Sequence, residues 1–388
     1  MNKTKRVGVI DNLADIRTFK ELEAFEPVTK RYSAAVGGNT GNLAFVMGTK
    51  LSLGNRYAVT FWHETPERIR QHFDHLVICC ANQIGKHADL KGWGDRLEAF
   101  GLPVTLVGLG AQTTNYETEI EIPEGTRHFL RVVTKLNESA ESNIGVRGDY
   151  TRGVLADIGF DSFVTGCPSL FISPDTALGE SIAAAEISDT DAKIAVAAGN
   201  PYHPQTRALE GNLIDVVSAT HGAYVIQHPD IMISLATGQF TEEDEAKLPN
   251  LLAAYGGRFE TVEDMVRWFG RHAYAFYDGF AWIDFLRHYD AAIGPRYHGV
   301  AFAVQARRPG MVVHIDNRTR ELSATTGIKS IAASDFKDVG VEEALKMVRW
   351  SYDEGLAFDE NRRMRADNLA KFLIDNNLAA SDRLLSLA

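Results

Sequence analysis

Two short segments of the chain combine residue types that can hold an anion and move a proton. Arg296 and His298 stand two apart in Gly294-Pro295-Arg296-Tyr297-His298-Gly299, after the apolar residues 291–293 and before the apolar run VAFAVQA at 300–306. The pattern predicts a strand-to-helix turn, where the side chains of 296–298 reach the space above a sheet and the first backbone N–H groups favour anions. A guanidinium supplies a planar fork for carboxylate or phosphate, and an imidazole titrates near neutrality, as a general acid or base must. A histidine there also fits a structural role, bonding a neighbouring carbonyl.

The second segment is Arg147-Gly148-Asp149-Tyr150-Thr151. A strand ending on Arg147 would put its fork in a cleft, while Asp149 could cap the following helix through its carboxylate. The competing reading is a local ion pair of Arg147 with Asp149 or Asp157.

Two further places could contact a ligand. In Asp316-Asn317-Arg318-Thr319-Arg320-Glu321, Arg318 or Glu321 could meet phosphate or hydroxyls. The same string also reads as a plain helix start with Asn317 or Thr319 as cap and Glu321 as its partner. Gly38-Asn39-Thr40-Gly41-Asn42 and Gly108-Leu109-Gly110 are turns where backbone could approach a ligand closely, which makes Asn39, Asn42, Gly108 and Gly110 binding candidates. The second falls short of the dinucleotide fingerprint and lacks its acidic ribose partner.

The elements that would position these residues alternate between strand-like and helix-like. Runs at 75–81, 103–110, 142–147 and 161–166 read as strands, with helices around 86–100 and 149–158. The rhythm restarts with 193–199, 223–228, 290–296 and 310–315 as strands and 261–272 as an amphipathic helix whose Val262, Met265, Val266 and Phe269 form a core face. Near-continuous apolar strands point to parallel sheets buried on both faces. The expected fold is α/β, with two doubly wound parallel-sheet domains at 1–180 and 190–345, a crossover at 173–192, and helices at 346–388 packing back on the first domain. Such domains bind ligands in the crevice beyond the carboxyl ends of their strands.

Composition agrees with a globular chain: 388 residues, 45% hydrophobic and 23% charged. Lys and Arg number 40 against 51 Asp and Glu, a net charge of −11 with no basic block, which argues against a nucleic-acid partner. It does not forbid a small anion, because a few buried arginines can dominate one cleft. Cys79, Cys80 and Cys167 are an odd set without a CxxC, which argues against disulfides and zinc and fits a reducing compartment. The apolar start ends at Ile10, too early for a secretory signal, and no run approaches the ~18 apolar residues of a membrane span. A cytoplasmic location is expected. The chain contains no HExxH, GxxxxGK[ST] or GxSxG motif.

The ordered set NIGVRGDYTRGVLADIGFDSFVTGCPSLF (143–171) and GPRYHGVAFAVQARRPGMVVHIDNRTRELSATTGI (294–328), with GGNTGNLAF and PVTLVGLGAQ before them, resembles the polysaccharide pyruvyl transferase family. The chain departs from that family's pattern at Asn42, where many relatives carry an acidic residue, and at 81–85, where they carry glycines. The resemblance implies a fold similar to two-domain GT-B glycosyltransferases. It also implies phosphoenolpyruvate as donor, a pair of sugar hydroxyls as acceptor, and a pyruvate ketal on a hexose of a surface polysaccharide or its lipid-linked precursor. On that reading the family's donor-binding arginine falls on Arg147 and its Arg-x-His on Arg296 and His298.

The implied chemistry wants those residue types. Phosphoenolpyruvate carries roughly −3 in total, which suits guanidinium forks. Its methylene must be protonated before the adjacent carbon becomes electrophilic, which needs a general acid. A helix N-terminus alone lowers the pKa of His298, and a bound trianion raises it. Neither a metal nor a cofactor is required, and a lipid-linked acceptor would bring the protein to the inner face of the membrane. Two other readings are a GT-B glycosyltransferase or sugar-nucleotide enzyme, with Glu321 on a ribose and Arg296 on a diphosphate, and a non-catalytic carbohydrate-binding relative.

Overall fold

Twelve strands, eight of them at the predicted places, assemble among the described residues into two parallel sheets of six strands each. The structure, a computed structural model, describes residues 5–11, 13, 33, 35–113, 116, 120–139, 141–203 and 206–388. Residues 1–4 of the basic start lie outside these. The first sheet comprises β1 (Val7–Ile10), β2 (Tyr57–Val59), β3 (His75–Cys79), β4 (Val104–Leu109), β5 (Ile144–Val146) and β6 (Phe163–Val164), in the order β2-β1-β3-β4-β5-β6. The second comprises β7 (Ile194–Ala197), β8 (Ala223–Ile226), β9 (Ala273–Ala275), β10 (Ala291–Gly294), β11 (Gly310–His314) and β12 (Ser330–Ala332), in the order β12-β11-β10-β7-β8-β9. Each order reverses once, between β1 and β3 and between β7 and β10, and such reversals open the crevices where doubly wound folds bind ligands.

Local chemistry explains the junction at β10. Gly294 has φ +154°, and a Cβ there would lie 2.3 Å from the Ala197 carbonyl oxygen, so only glycine lets the end of β10 run this close to β7. Pro295 then ends the strand, and Arg296 takes the cap position of the Tyr297–Gln305 helix, which is apolar almost all round and buried.

Several details differ from the sequence-based expectation. The helix expected around 86–100 begins only at Lys91, and the 173–192 crossover contains a helix, Leu178–Ala183. That helix is helical because Leu178 and Ile182, four apart, are buried in the apolar core that includes Phe358 of the Tyr352–Asp375 helix. Strands β1, β2, β9 and β12 were not read from the pattern; three of them have only three residues, too short to alternate visibly.

The tail crosses to the first domain. Phe372 stacks on Phe163 with ring centroids 5.9 Å apart, and Asn376 Nδ2 donates to the Ser142 carbonyl at 3.1 Å. One continuous apolar cluster joins Val9, Phe45 and Val77 of the first domain to Tyr297, Val300 and Leu322 of the second and to Leu369 of the tail. The interface between the domains is therefore partly core, which holds the two sheets in register across the cleft.

Candidate active site

The carboxyl ends of both sheets deliver side chains to one cleft of about 440 Å³, including its mouth. Asn82 follows β3 and Arg147 follows β5; Gln227 follows β8, Arg296 and His298 follow β10, and Arg318 follows β11. The loop carrying Asn39 and the helix carrying Asn42 and Phe45 complete the lining. Three guanidiniums thus converge in a protein of net charge −11.

Arg147 is almost wholly buried and held on every nitrogen. Its Nε donates to the Gly108 carbonyl at 2.7 Å, Nη1 to Asn82 Oδ1 at 2.9 Å and Nη2 to the Cys80 carbonyl at 2.9 Å. The guanidinium also lies 5.0 Å from the centre of the Phe45 ring. Each terminal nitrogen retains one N–H for a ligand, since a guanidinium carries five donors. No carboxylate forms an ion pair with it among the described residues, and Asp149 instead pairs with Arg152 at 2.8 Å. Burial, above all, lowers its pKa.

Arg296 contrasts with it. Its Nε is buried without a hydrogen-bond partner among the described residues, although part of the residue remains open to the cleft. Burial, and then the charge of Arg318, pull its pKa down to about 10, against the opposing pull of Glu210 and Asp316. Among the described residues Arg318 is the one guanidinium of the three with an ion pair, to Asp316 at 3.2 Å, and it also donates to Gln112 Oε1 at 3.4 Å. Glu210 lies fully buried under the β7 end, accepting from the Gly199 N–H at 3.0 Å and from the Tyr224 hydroxyl. Burial raises its pKa to about 7.

His298 sits in the first turn of the Tyr297–Gln305 helix, its ring 5.6 Å from Phe45 and its Nε2 3.5 Å from Cys167 Sγ. Burial, then Arg147 and Arg318, holds the imidazole well below its usual pKa, so it is neutral in the free protein. The arginines contribute where the sequence reading named only the helix N-terminus.

The remaining predicted residues divide. Asn39, Asn42 and Tyr297 line the cleft, with Asn39 Oδ1 accepting from the Gly41 N–H at 2.9 Å and Asn42 Nδ2 donating to the Val36 carbonyl at 2.9 Å. Gly108 and Gly110 lie behind the lining. Gly108, at φ +78°, turns its carbonyl to Arg147, and a Cβ on Gly110 would come within 2.6 Å of Asn82 Oδ1, so both make room for the arginine.

Glu321 also lies outside the lining. Its carboxylate accepts from the Thr151 N–H at 2.6 Å and the Thr151 hydroxyl at 2.8 Å, across the domain boundary. It therefore caps the Asp149–Asp157 helix, the role the sequence suggested for Asp149, because a Cβ on Gly148 would meet the Glu321 side chain at 2.5 Å and the two helices pack this close. Asp316, rather than Asn317 or Thr319, caps its own helix, accepting from the Thr319 N–H at 2.8 Å.

Sequence reasoning did not single out Asn82, Gln227, Phe45 or Cys167. The first two follow strands, where the strand-end rule could have found them; Phe45 and Cys167 stand in apolar runs that read as core. Gln227 lines the cleft, and its Nε2 is buried without a hydrogen-bond partner among the described residues. Among the described residues no three His, Cys, Asp or Glu side chains gather as a metal site, and no helix is long and apolar enough to cross a membrane.

The family model for polysaccharide pyruvyl transferase matches residues 39–317, most of the chain. The chain belongs to the polysaccharide pyruvyl transferase family. The matched span of this pyruvyl transferase relative takes in Arg147, Arg296 and His298 and ends one residue before Arg318. No curated protein matches the chain. Among solved structures, a protein from Listeria monocytogenes described as a UDP-N-acetylglucosamine 2-epimerase is similar at 12% identity and TM-score 0.43, over 95% of this chain and 97% of that one. A second UDP-N-acetylglucosamine 2-epimerase is similar at 11% identity and TM-score 0.42, covering 96% of each chain. The S. aureus MnaA–UDP co-structure is similar at 12% identity and TM-score 0.40, over 97% of this chain and 99% of that one.

Proposed function

We propose that this family member transfers the pyruvyl group of phosphoenolpyruvate to two hydroxyls of a hexose, in a surface polysaccharide or its lipid-linked precursor, as a cyclic ketal. The observation that carries the reading is the convergence of Arg147, Arg296 and Arg318 from both domains on one cleft, with only Asp316 ion-paired to any of them among the described residues. Such an excess of buried positive charge is costly unless an anion of matching charge enters. A carboxylate plus a phosphate supplies roughly three negative charges. The sugar-nucleotide reading would put Glu321 on a ribose, and both Glu321 oxygens are bound to Thr151.

Donor binding neutralises the arginines that keep His298 uncharged, and the imidazole takes up a proton. His298 gives that proton to the methylene carbon, which becomes the methyl group, and the adjacent carbon becomes electrophilic. One sugar hydroxyl adds there and returns a proton to His298; the carbon–oxygen bond to phosphate breaks, and the second hydroxyl adds and closes the ring, its proton passing to the departing phosphate. The products are the ketal and inorganic phosphate. The proposal includes no cofactor beyond the donor, no nucleic-acid partner, and a cytoplasmic location, at the inner membrane face when the acceptor is lipid-linked.

The test is phosphate release from phosphoenolpyruvate across a panel of pyranosides. Release with at least one acceptor is expected, undiminished by EDTA, and abolished in folded His298→Ala protein. Absence of release with every acceptor, together with thermal stabilisation by UDP or GDP but not by phosphoenolpyruvate, would select the sugar-nucleotide reading instead.

A further inference from the structure

Cys167 of the first domain lies three residues after β6, just before the short Pro168–Phe171 helix, and is fully buried, yet its sulfur touches the one imidazole that lines the cleft, which belongs to the second domain. The thiol is itself held: Ser169 Oγ donates to Cys167 Sγ at 3.1 Å, while Sγ lies 3.5 Å from His298 Nε2. The ring is fixed from both sides, with Phe45 centred 5.6 Å away and Tyr297 edge-on at 5.2 Å. With Nε2 turned to the buried thiol, Nδ1 is the nitrogen left for the cleft that His298 lines.

A histidine that moves protons commonly has a carboxylate on its inner nitrogen, which orients the ring and stabilises its charged form. Here the inner partner is the sulfur of a cysteine, a weak donor or weak acceptor, and no carboxylate is bonded to the ring among the described residues. It can therefore donate to a bare Nε2 or accept from a protonated one. The charged groups acting on the ring are Arg147 from the β5 end and Arg318 from the β11 end, both cations. The phenol of Tyr297 is its titratable neighbour on the same helix.

We propose that Cys167 is the positioning residue for His298: its sulfur holds Nε2 and directs Nδ1 to the cleft, and with no carboxylate bonded to it the ring takes a proton from solvent only when an anionic donor occupies the cleft. The acid is then armed by its own substrate. The inference rests on the pyruvyl-transfer reading for what the proton does, but its central claim concerns the protein without donor.

The experiment is an NMR titration of nitrogen-labelled histidine in the donor-free protein, with His298 assigned from His298→Ala. The wild-type ring is expected to stay neutral at pH 6 in a single tautomer. Cys167→Asp should raise its titration midpoint by at least one unit, a tenfold gain in proton affinity. Cys167→Ser, which keeps a small hydrogen-bonding partner and guards against misfolding of the aspartate variant, should hold the wild-type midpoint. Cys167→Ala should give mixed tautomers and a roughly tenfold lower kcat with the donor KM unchanged. An unchanged midpoint in folded Cys167→Asp, or a single tautomer with wild-type kcat in Cys167→Ala, would overturn the proposal. Failure of the pyruvyl-transfer reading shows separately, as wild-type protein that titrates as expected yet releases no phosphate from phosphoenolpyruvate.

Discussion

The two domains each place an arginine at the end of a central strand, and they treat it differently. Arg147 is locked by three protein oxygens and an aromatic face before any ligand arrives. Arg296 stays partly open to the cleft, and its Nε has no partner among the described residues. One half of the anion clamp is thus built into the fold, with two N–H groups to spare, and the other half is completed by what binds. Rigid placement lowers the ordering cost of binding, whereas an unpaired buried donor makes binding selective for an acceptor at that spot.

The contrast yields graded expectations. Arg147→Lys should have the largest effect, because an ammonium cannot reach the Gly108 and Cys80 carbonyls and Asn82 together. The stranded buried acceptors should cost about 3 kcal/mol in denaturant unfolding, and donor binding should be lost as well. A variant with wild-type stability and a near-normal donor KM would erase the distinction. Arg296→Lys should leave the unfolding midpoint within error while raising the donor KM roughly tenfold or more, the worth of one charge-assisted hydrogen bond. Kinetics and unfolding on the same preparation separate the two cases.

Glu321→Gln should cost about 1 kcal/mol of stability with little change in donor KM, as expected of a helix cap outside the cleft. A large rise in KM with unchanged stability would return Glu321 to the binding site. The last expectation is a change in the pH profile. The folded-state pKa of Glu210 is raised from 4.5 to about 7, so its contribution to stability is present at low pH and is lost as pH rises through that interval. Glu210→Gln, which keeps the Tyr224 contact without ionising, should therefore lose less stability than wild type between those two values. Parallel profiles would mean that Glu210 ionises normally in the folded protein.

Much of this was legible before the fold. The strand-end rule picked out Arg147, Arg296, His298 and Arg318, all of which line the cleft, because apolar runs mark strands and the residue following each run must face the crevice. Glycine and asparagine near 38–42 marked a real turn at the cleft wall. Gly108, Gly110 and Glu321 read as ligand contacts for the same reason, yet they hold protein groups instead. A carboxylate able to reach a ribose is equally able to cap a helix, and only the neighbour at hand settles which it does.

Residue type and spacing along this chain sufficed for the parallel sheets, the crevice-facing positions and the appetite for an anion, since these follow from local periodicity and from the valence of side chains. Partnership did not follow from them. That every nitrogen of Arg147 is held while Arg296 Nε has no partner among the described residues, that Glu321 crosses to Thr151, and that Cys167 meets His298 over 131 positions of chain are consequences of two domains sharing one core. Such contacts are set by how helices and sheets pack against each other, a property of three-dimensional shape that one-dimensional order does not encode locally.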